Sequence, residues 1–276
     1  MKKLIYIILF NLTVFAVGFD GFYIPSNPRE LSLSGTGVAS RNNIFLSSSE
    51  DSDQSSSIGF SINKWVQGLD GNSIYLRKNN YHFSFASIGT NDIELRDDVP
   101  SDEPLNMIGA HLLSAEISRL FLFSEKLNIG IGSNINYHQL FTDKFINLTF
   151  HFGCRILISD KLSLAQTIQN ISVNNKEIPP LYAIGFSYYA SKTKTEALLD
   201  YKYSNEYKGG IHLAANQKIG LLAINCGYSK YSNLKTTISA GFNFKITKTT
   251  RFLYSILSIQ NSNLGLAHSF GIEFSI

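Results

Sequence analysis

Residues 264–276 read Leu-Gly-Leu-Ala-His-Ser-Phe-Gly-Ile-Glu-Phe-Ser-Ile. Side chains of an extended chain point alternately to two faces. One face of this stretch therefore carries Leu264, Leu266, Phe270, Ile272, Phe274 and Ile276, with His268 as its polar member. The other carries Gly265, Ala267, Ser269, Gly271, Glu273 and Ser275. One wall is greasy and the other small or polar, as in a strand between lipid and a hydrated lumen. An amphipathic strand of this kind at the C-terminus is a habit of outer-membrane barrels. The same alternation recurs back to about residue 57 and predicts an all-β chain, an antiparallel transmembrane barrel of about fourteen strands spanning 58–276.

Two strands carry the pattern cleanly. In 126–139, Leu127, Ile129, Ile131, Ile135 and Tyr137 oppose Gly130, Gly132, Asn134, Asn136 and His138. In 143–159, Ile146, Leu148, Phe150, Phe152, Cys154, Ile156 and Ile158 oppose Asn147, Thr149, His151, Gly153 and Arg155. A slip of one residue would place Arg155 in lipid, so the register is strongly specified. In 107–122, Glu116 and Arg119 fall on different walls, which a bulge or a strand end would reconcile.

The connections alternate in character. Every second one is short and contains a Lys: 78–80, 124–126, 159–161, 191–195, 216–218 and 247–249. The others include the two longest, 88–105 and 172–180. Short periplasmic turns and longer outer loops are the expected asymmetry of a membrane barrel. A soluble sandwich or propeller also alternates, but no fixed sequence period appears.

The N-terminus predicts a cleaved signal peptide over 1–18. Lys2 and Lys3 precede a nearly unbroken apolar run, and Ala16 and Gly18 suit a cleavage site. That run is short for a spanning helix. The chain has 20 Phe and 14 Tyr yet only 16% charged residues, against about 25% in a soluble domain. Its formal charge of +3 includes the two leader lysines, so nothing points to nucleic acid. Cys154 and Cys226 fall on apolar faces of distant strands and are expected to be buried apolar residues rather than a disulfide.

Residues 19–57 hold Pro25, Pro28, Gly35, Gly37 and a Ser- and acid-rich run, without clear strand alternation. This predicts a plug inside the lumen or a periplasmic segment. As a plug, Leu31, Leu33 and Val38 would touch inward barrel residues, and Gly35 and Gly37 would permit close backbone approach. The pair lacks the third Gly and the strand–turn–helix context of a nucleotide loop.

The inward faces carry His138, His151, Arg155, Glu196, Asp200, Lys202, Lys208, Lys245 and Glu273. Cross-strand pairing and lumen hydration account for such residues. Asp92, Glu94, Asp97, Asp98, Asp102 and Glu103 form an acidic outer loop; solvation is the plain role, and a divalent cation or partner contact the sharper one. His268 and Ser269 are neighbours and so face opposite walls, and no Ser-His-acid set is readable. The expectation is a chain without catalytic residues, structural metal or cofactor.

Two stretches carry a family resemblance. Arg29-Glu30-Leu31-Ser32-Leu33-Ser34-Gly35-Thr36-Gly37-Val38-Ala39 is similar to the N-terminal pattern of the PorV/PorQ family, which belongs with the FadL-like fourteen-strand barrels. Ile62-Asn63-Lys64-Trp65-Val66-Gln67-Gly68-Leu69 resembles that family's first strand and outer turn. The family's Asn-Pro-Ala element is replaced here by Gln54-Ser55-Ser56-Ser57. The resemblance implies a cell outer-membrane protein accessory to type IX-like secretion or cargo handling, with secretion components or cargo as partners. Its alternative is a FadL-like channel for hydrophobic small molecules. The mostly small and polar inward residues lean away from a greasy pore.

Overall fold

A computed structural model describes residues 25, 27–43, 45–47, 56–65, 68–95, 104–140, 143–173, 178–206, 208–232, 236–260 and 266–276. The expected leader, 1–18, lies outside them.

The alternation resolves into fourteen strands: β1 Ser56–Lys64, β2 Asp70–Lys78, β3 Tyr81–Leu95, β4 Asn106–Ser124, β5 Leu127–Leu140, β6 Asp143–Leu157, β7 Leu162–Ser172, β8 Leu181–Ala190, β9 Thr195–Ser204, β10 Lys208–Ile219, β11 Leu222–Tyr231, β12 Thr237–Lys245, β13 Thr250–Ile259 and β14 Leu266–Ser275. One short helix, α1 Pro28–Ser32, precedes them. Each strand pairs antiparallel with its sequence neighbour, and β14 returns to β1, from Ser57↔Ser275 to Lys64↔His268. Closure removes every sheet edge within the wall, so the backbone groups are satisfied without water.

The distribution of side chains is inverted relative to a soluble protein. Ile62, Phe83, Ile135, Phe152, Phe186, Ile211 and Phe270 are exposed on the outer face, while Ser61, Asn136, Thr149, Ser187, Ser255 and Ser269 are buried facing inward. An apolar exterior around a polar interior is stable only with hydrocarbon outside. The chain is an outer-membrane β-barrel.

The connections after β2, β4, β6, β8, β10 and β12 lie at the same end as both the start of β1 and the end of β14, which is the periplasmic end by its short turns. Asn79 and Lys194 turn there with φ +53° and +51°. The turn expected at 216–218 falls later. Those residues continue β10, and the chain reverses at Gly220, whose φ of +61° suits a residue without Cβ. The long loop expected over 88–105 is also shorter, because β3 runs on to Leu95 and β4 begins at Asn106. Asp92 and Glu94 thus belong to β3, whereas Asp97, Asp98, Asp102 and Glu103 lie outside the described residues.

Arg119 does face outward. It lies toward the periplasmic end of β4, with its guanidinium 5.0 Å from the Tyr81 ring centre and 4.7 Å from that of Phe121. There the cation sits against aromatic faces near the membrane boundary instead of in mid-bilayer. The cysteines depart from expectation. Both are free, Cys154 half-buried and Cys226 exposed, because the apolar wall of this fold faces lipid and not a core.

Candidate functional site

The lumen is the site, and residues 27–47 occupy its periplasmic half. Asn27 caps α1 by accepting from the Glu30 amide at 3.0 Å, and Pro28 opens the first turn. The helix stops after one turn because Gly35 enters the left-handed region at φ +69° and donates back to the Glu30 carbonyl at 2.9 Å.

From α1 the segment winds along the inner wall. Ser32 and Ser34 meet Ser239 on β12, which donates to the Ser32 carbonyl at 2.9 Å and pairs with the Ser34 hydroxyl at 2.7 Å. At β11, Gly227 lets the backbone pass: a Cβ there would stand 2.3 Å from the Leu33 carbonyl carbon. At β9, Lys202 donates to the Gly35 carbonyl, while the Gly37 and Val38 amides donate to Asp200 Oδ2 at 2.7 and 3.1 Å. Glu196 then accepts from the Arg41 amide at 2.8 Å and the Ser40 hydroxyl at 3.1 Å. Carboxylates held by backbone N–H groups form charge-assisted bonds, stronger than neutral ones.

The segment ends at the opposite wall. The Phe45 ring lies over Gly130, Gly132 and Gly153, three positions of β5 and β6 where its atoms approach to 3.4 Å or less of where a Cβ would be. Asn128 donates to the Leu46 carbonyl at 3.1 Å. Arg77 donates to the Ser47 carbonyl at 2.7 Å, and Arg155 to its hydroxyl at 3.2 Å. On the other side, Glu273 lies 3.7 Å from Arg29 and 3.9 Å from Arg251, and Tyr75 donates to it.

Apolar contacts are fewer. Leu31 packs with Leu257 and Ala267, beside Trp65 and Ile259. Leu33 packs with Leu198 and Ala214. Val38, Ala39 and Leu46 pack with Ala165 and Ala183, beside Phe45.

The nine inward charges and histidines read from sequence separate by height. Arg155, Glu196, Asp200 and Glu273 are nearly sealed against the segment, and His151 is also buried. Lys202 is half-buried at the segment's turn, His138 is half-buried in the outer half of β5, and Lys245 is half-buried at the periplasmic end beside Arg251. Lys208 does not line the sealed lumen. It begins β10 at the outer rim, exposed, with φ +61°. Glu94 is exposed on β3, opposite Met107. Among the described residues no group of His, Cys, Asp and Glu could hold a metal ion.

Tyr75, Arg77, Asn128 and Ser163, which donates to the Ala39 carbonyl at 2.8 Å, belong to the same contact surface and escaped the sequence reading. Parity alone puts Arg77 inward, since Ile74 and Leu76 face out. What it meets there depends on a segment 30 residues away in sequence. Glu30 and Glu116 also face the lumen. Glu116 lies 3.9 Å from His82.

No protein-family model matches the sequence, and no curated protein does. Solved structures share the architecture. The CymD monoaromatic hydrocarbon channel superposes with a TM-score of 0.70 at 13% identity, over 92% of this chain and 98% of that one. The Ralstonia pickettii toluene transporter TbuX gives 0.66 at 9% identity, over 94% and 98%. The Pseudomonas putida toluene transporter TodX gives 0.57 at 11% identity, over 94% and 93%. At such identities the likeness is one of fold. The fold is the FadL-like fourteen-strand barrel.

Proposed function

We propose that this chain is a FadL-like channel that admits small hydrophobic compounds across the outer membrane, with residues 27–47 as an internal plug. The observation that carries the reading is the division of the lumen. A folded segment fills the periplasmic half, and above it Trp65, Leu257, Ile259 and Ala267 form an apolar wall over Leu31. Apolar surface in an otherwise polar lumen is where a hydrophobic ligand would lodge. Fold likeness to channels named for monoaromatic hydrocarbon and toluene supports the same class of substrate.

The test is uptake of a labelled monoaromatic compound by cells whose other outer-membrane routes for it are deleted. Uptake is expected to rise with expression of this barrel; an unchanged rate in cells with correctly inserted protein counts against a channel. The secretion-accessory reading rests on the PorV/PorQ-like stretches 29–39 and 62–69 alone. Crosslinking of the outer loops to a secreted cargo, with no uptake activity, would favour it.

A further inference from the structure

The lumen carboxylates fall into two groups. Asp200, Glu196 and Glu273, 0%, 4% and 1% exposed, are taken up by backbone amides of the segment, by Arg29 and Arg251, and by Tyr75. Glu30 and Glu116 anchor nothing in the segment's docking. Glu30 is exposed on α1 although the helix lies within the barrel, and Glu116 on β4 keeps 25% of its side chain exposed. Their charges are close enough to repel each other. His82 stands beside Glu116 at 3.9 Å, and in its neutral form it leaves that charge uncompensated. The nearby ammonium of Lys202 is directed at the Gly35 carbonyl and lies beside Asp200.

An unpartnered acceptor lies next to this pair. Asn136 follows Asn134, the register partner of Glu116, on the same face of β5. It is 2% exposed, its amide nitrogen donates to Thr149 Oγ1 at 3.3 Å, and its Oδ1 has no partner among the described residues. A buried acceptor without a donor is costly unless something fills it. The apolar wall adjoins the same place, since Glu30 and Leu31 are successive residues of α1.

We propose that the lumen selects cationic amphiphiles, compounds with an aromatic or alicyclic body and a protonated amine, over bare hydrocarbons and anions. The apolar body lies against Trp65, Leu257 and Ile259. The ammonium offers three donors and one positive charge to Glu30, Glu116 and Asn136 Oδ1. The inference rests on the channel reading above and narrows its substrate class.

Trp65 is the single tryptophan of the chain, so its fluorescence reports on the apolar wall. Full-length protein in detergent is titrated with toluene, benzylammonium and benzoate. Benzylammonium is expected to bind at least about fivefold more tightly than toluene, the size of one partly exposed ion pair, and benzoate more weakly than either. In E116Q and in the E30Q/E116Q double variant, each checked for heat-modifiable migration, the benzylammonium-to-toluene ratio should fall toward one. Equal affinity for toluene and benzylammonium in the wild type overturns the proposal while leaving a hydrocarbon channel intact. A ratio unchanged in the folded double variant also overturns it. If none of the three probes perturbs Trp65 and monoaromatic uptake is absent, the channel reading itself fails.

Discussion

Phe150 and Thr149 are neighbours that face different solvents. Phe150 lies halfway along β6 on the lipid wall, while Thr149 is 0% exposed inside. Phe150→Arg is expected to cost about 2–4 kcal/mol near the bilayer midplane, read as a shift in urea-dependent refolding into lipid vesicles. Asn134→Arg, on the lumen face where the residue is only half-buried, should cost much less. Thr149 is a poor control because it is fully enclosed, so a larger side chain would overpack there. Equal losses at 150 and 134 would contradict the register. Glu273 poses a different residue-scale question. It joins Arg29 of the segment to Arg251 and Tyr75 of the wall. Glu273→Gln leaves those cations without their counter-charge, so protease cleavage within 27–47 should become faster while the barrel keeps its heat-modifiable migration. Unchanged cleavage would mean that the segment is held elsewhere.

At the scale of elements, the segment fits the wall only where strands omit side chains. Gly227→Ala would drive a Cβ into the Leu33 backbone at 2.3 Å, and backbone has no rotamer by which to yield. The expected result is loss of amide-exchange protection in 27–47, with β10, β11 and β12 still protected. Protection retained in the segment would show that α1 tolerates displacement. The turn between β10 and β11 makes a second prediction. A β-branched residue at Gly220, where φ is +61°, should lower stability by roughly 1–2 kcal/mol, measured by the same refolding assay. Both predictions concern connections that the alternation does not encode. Period 2 specifies which face a residue takes. It does not specify which strand ends at which residue, and that is why 216–218 were read as a turn while they extend β10.

For the whole molecule, the segment and the barrel are separable in energy. Closure of β1 on β14 is carried by the ladder from Ser57↔Ser275 to Lys64↔His268, to which 27–47 contributes nothing. Deleting residues 27–47 should therefore leave a barrel that inserts and shows heat-modifiable migration. Single-channel conductance of this barrel should be much larger than that of the full chain. Unchanged conductance in a correctly inserted deletion would refute the plug.

The sequence by itself determined the wall. The parity of Phe150 against Thr149, or Phe270 against Ser269, is local and is set by lipid on one side and water on the other. That logic yields the strand number, the antiparallel meander and the inward set from Arg155 to Glu273. Only the tertiary structure decided what those inward residues do. Asp200 and Glu196 read alike in the sequence as lumen charges. The fold makes them acceptors for amides more than 150 residues away, and it leaves Glu116, of the same chemistry, facing open space. Such pairing depends on where a closed barrel places an inserted segment. Neither strand parity nor spacing along the chain carries that information.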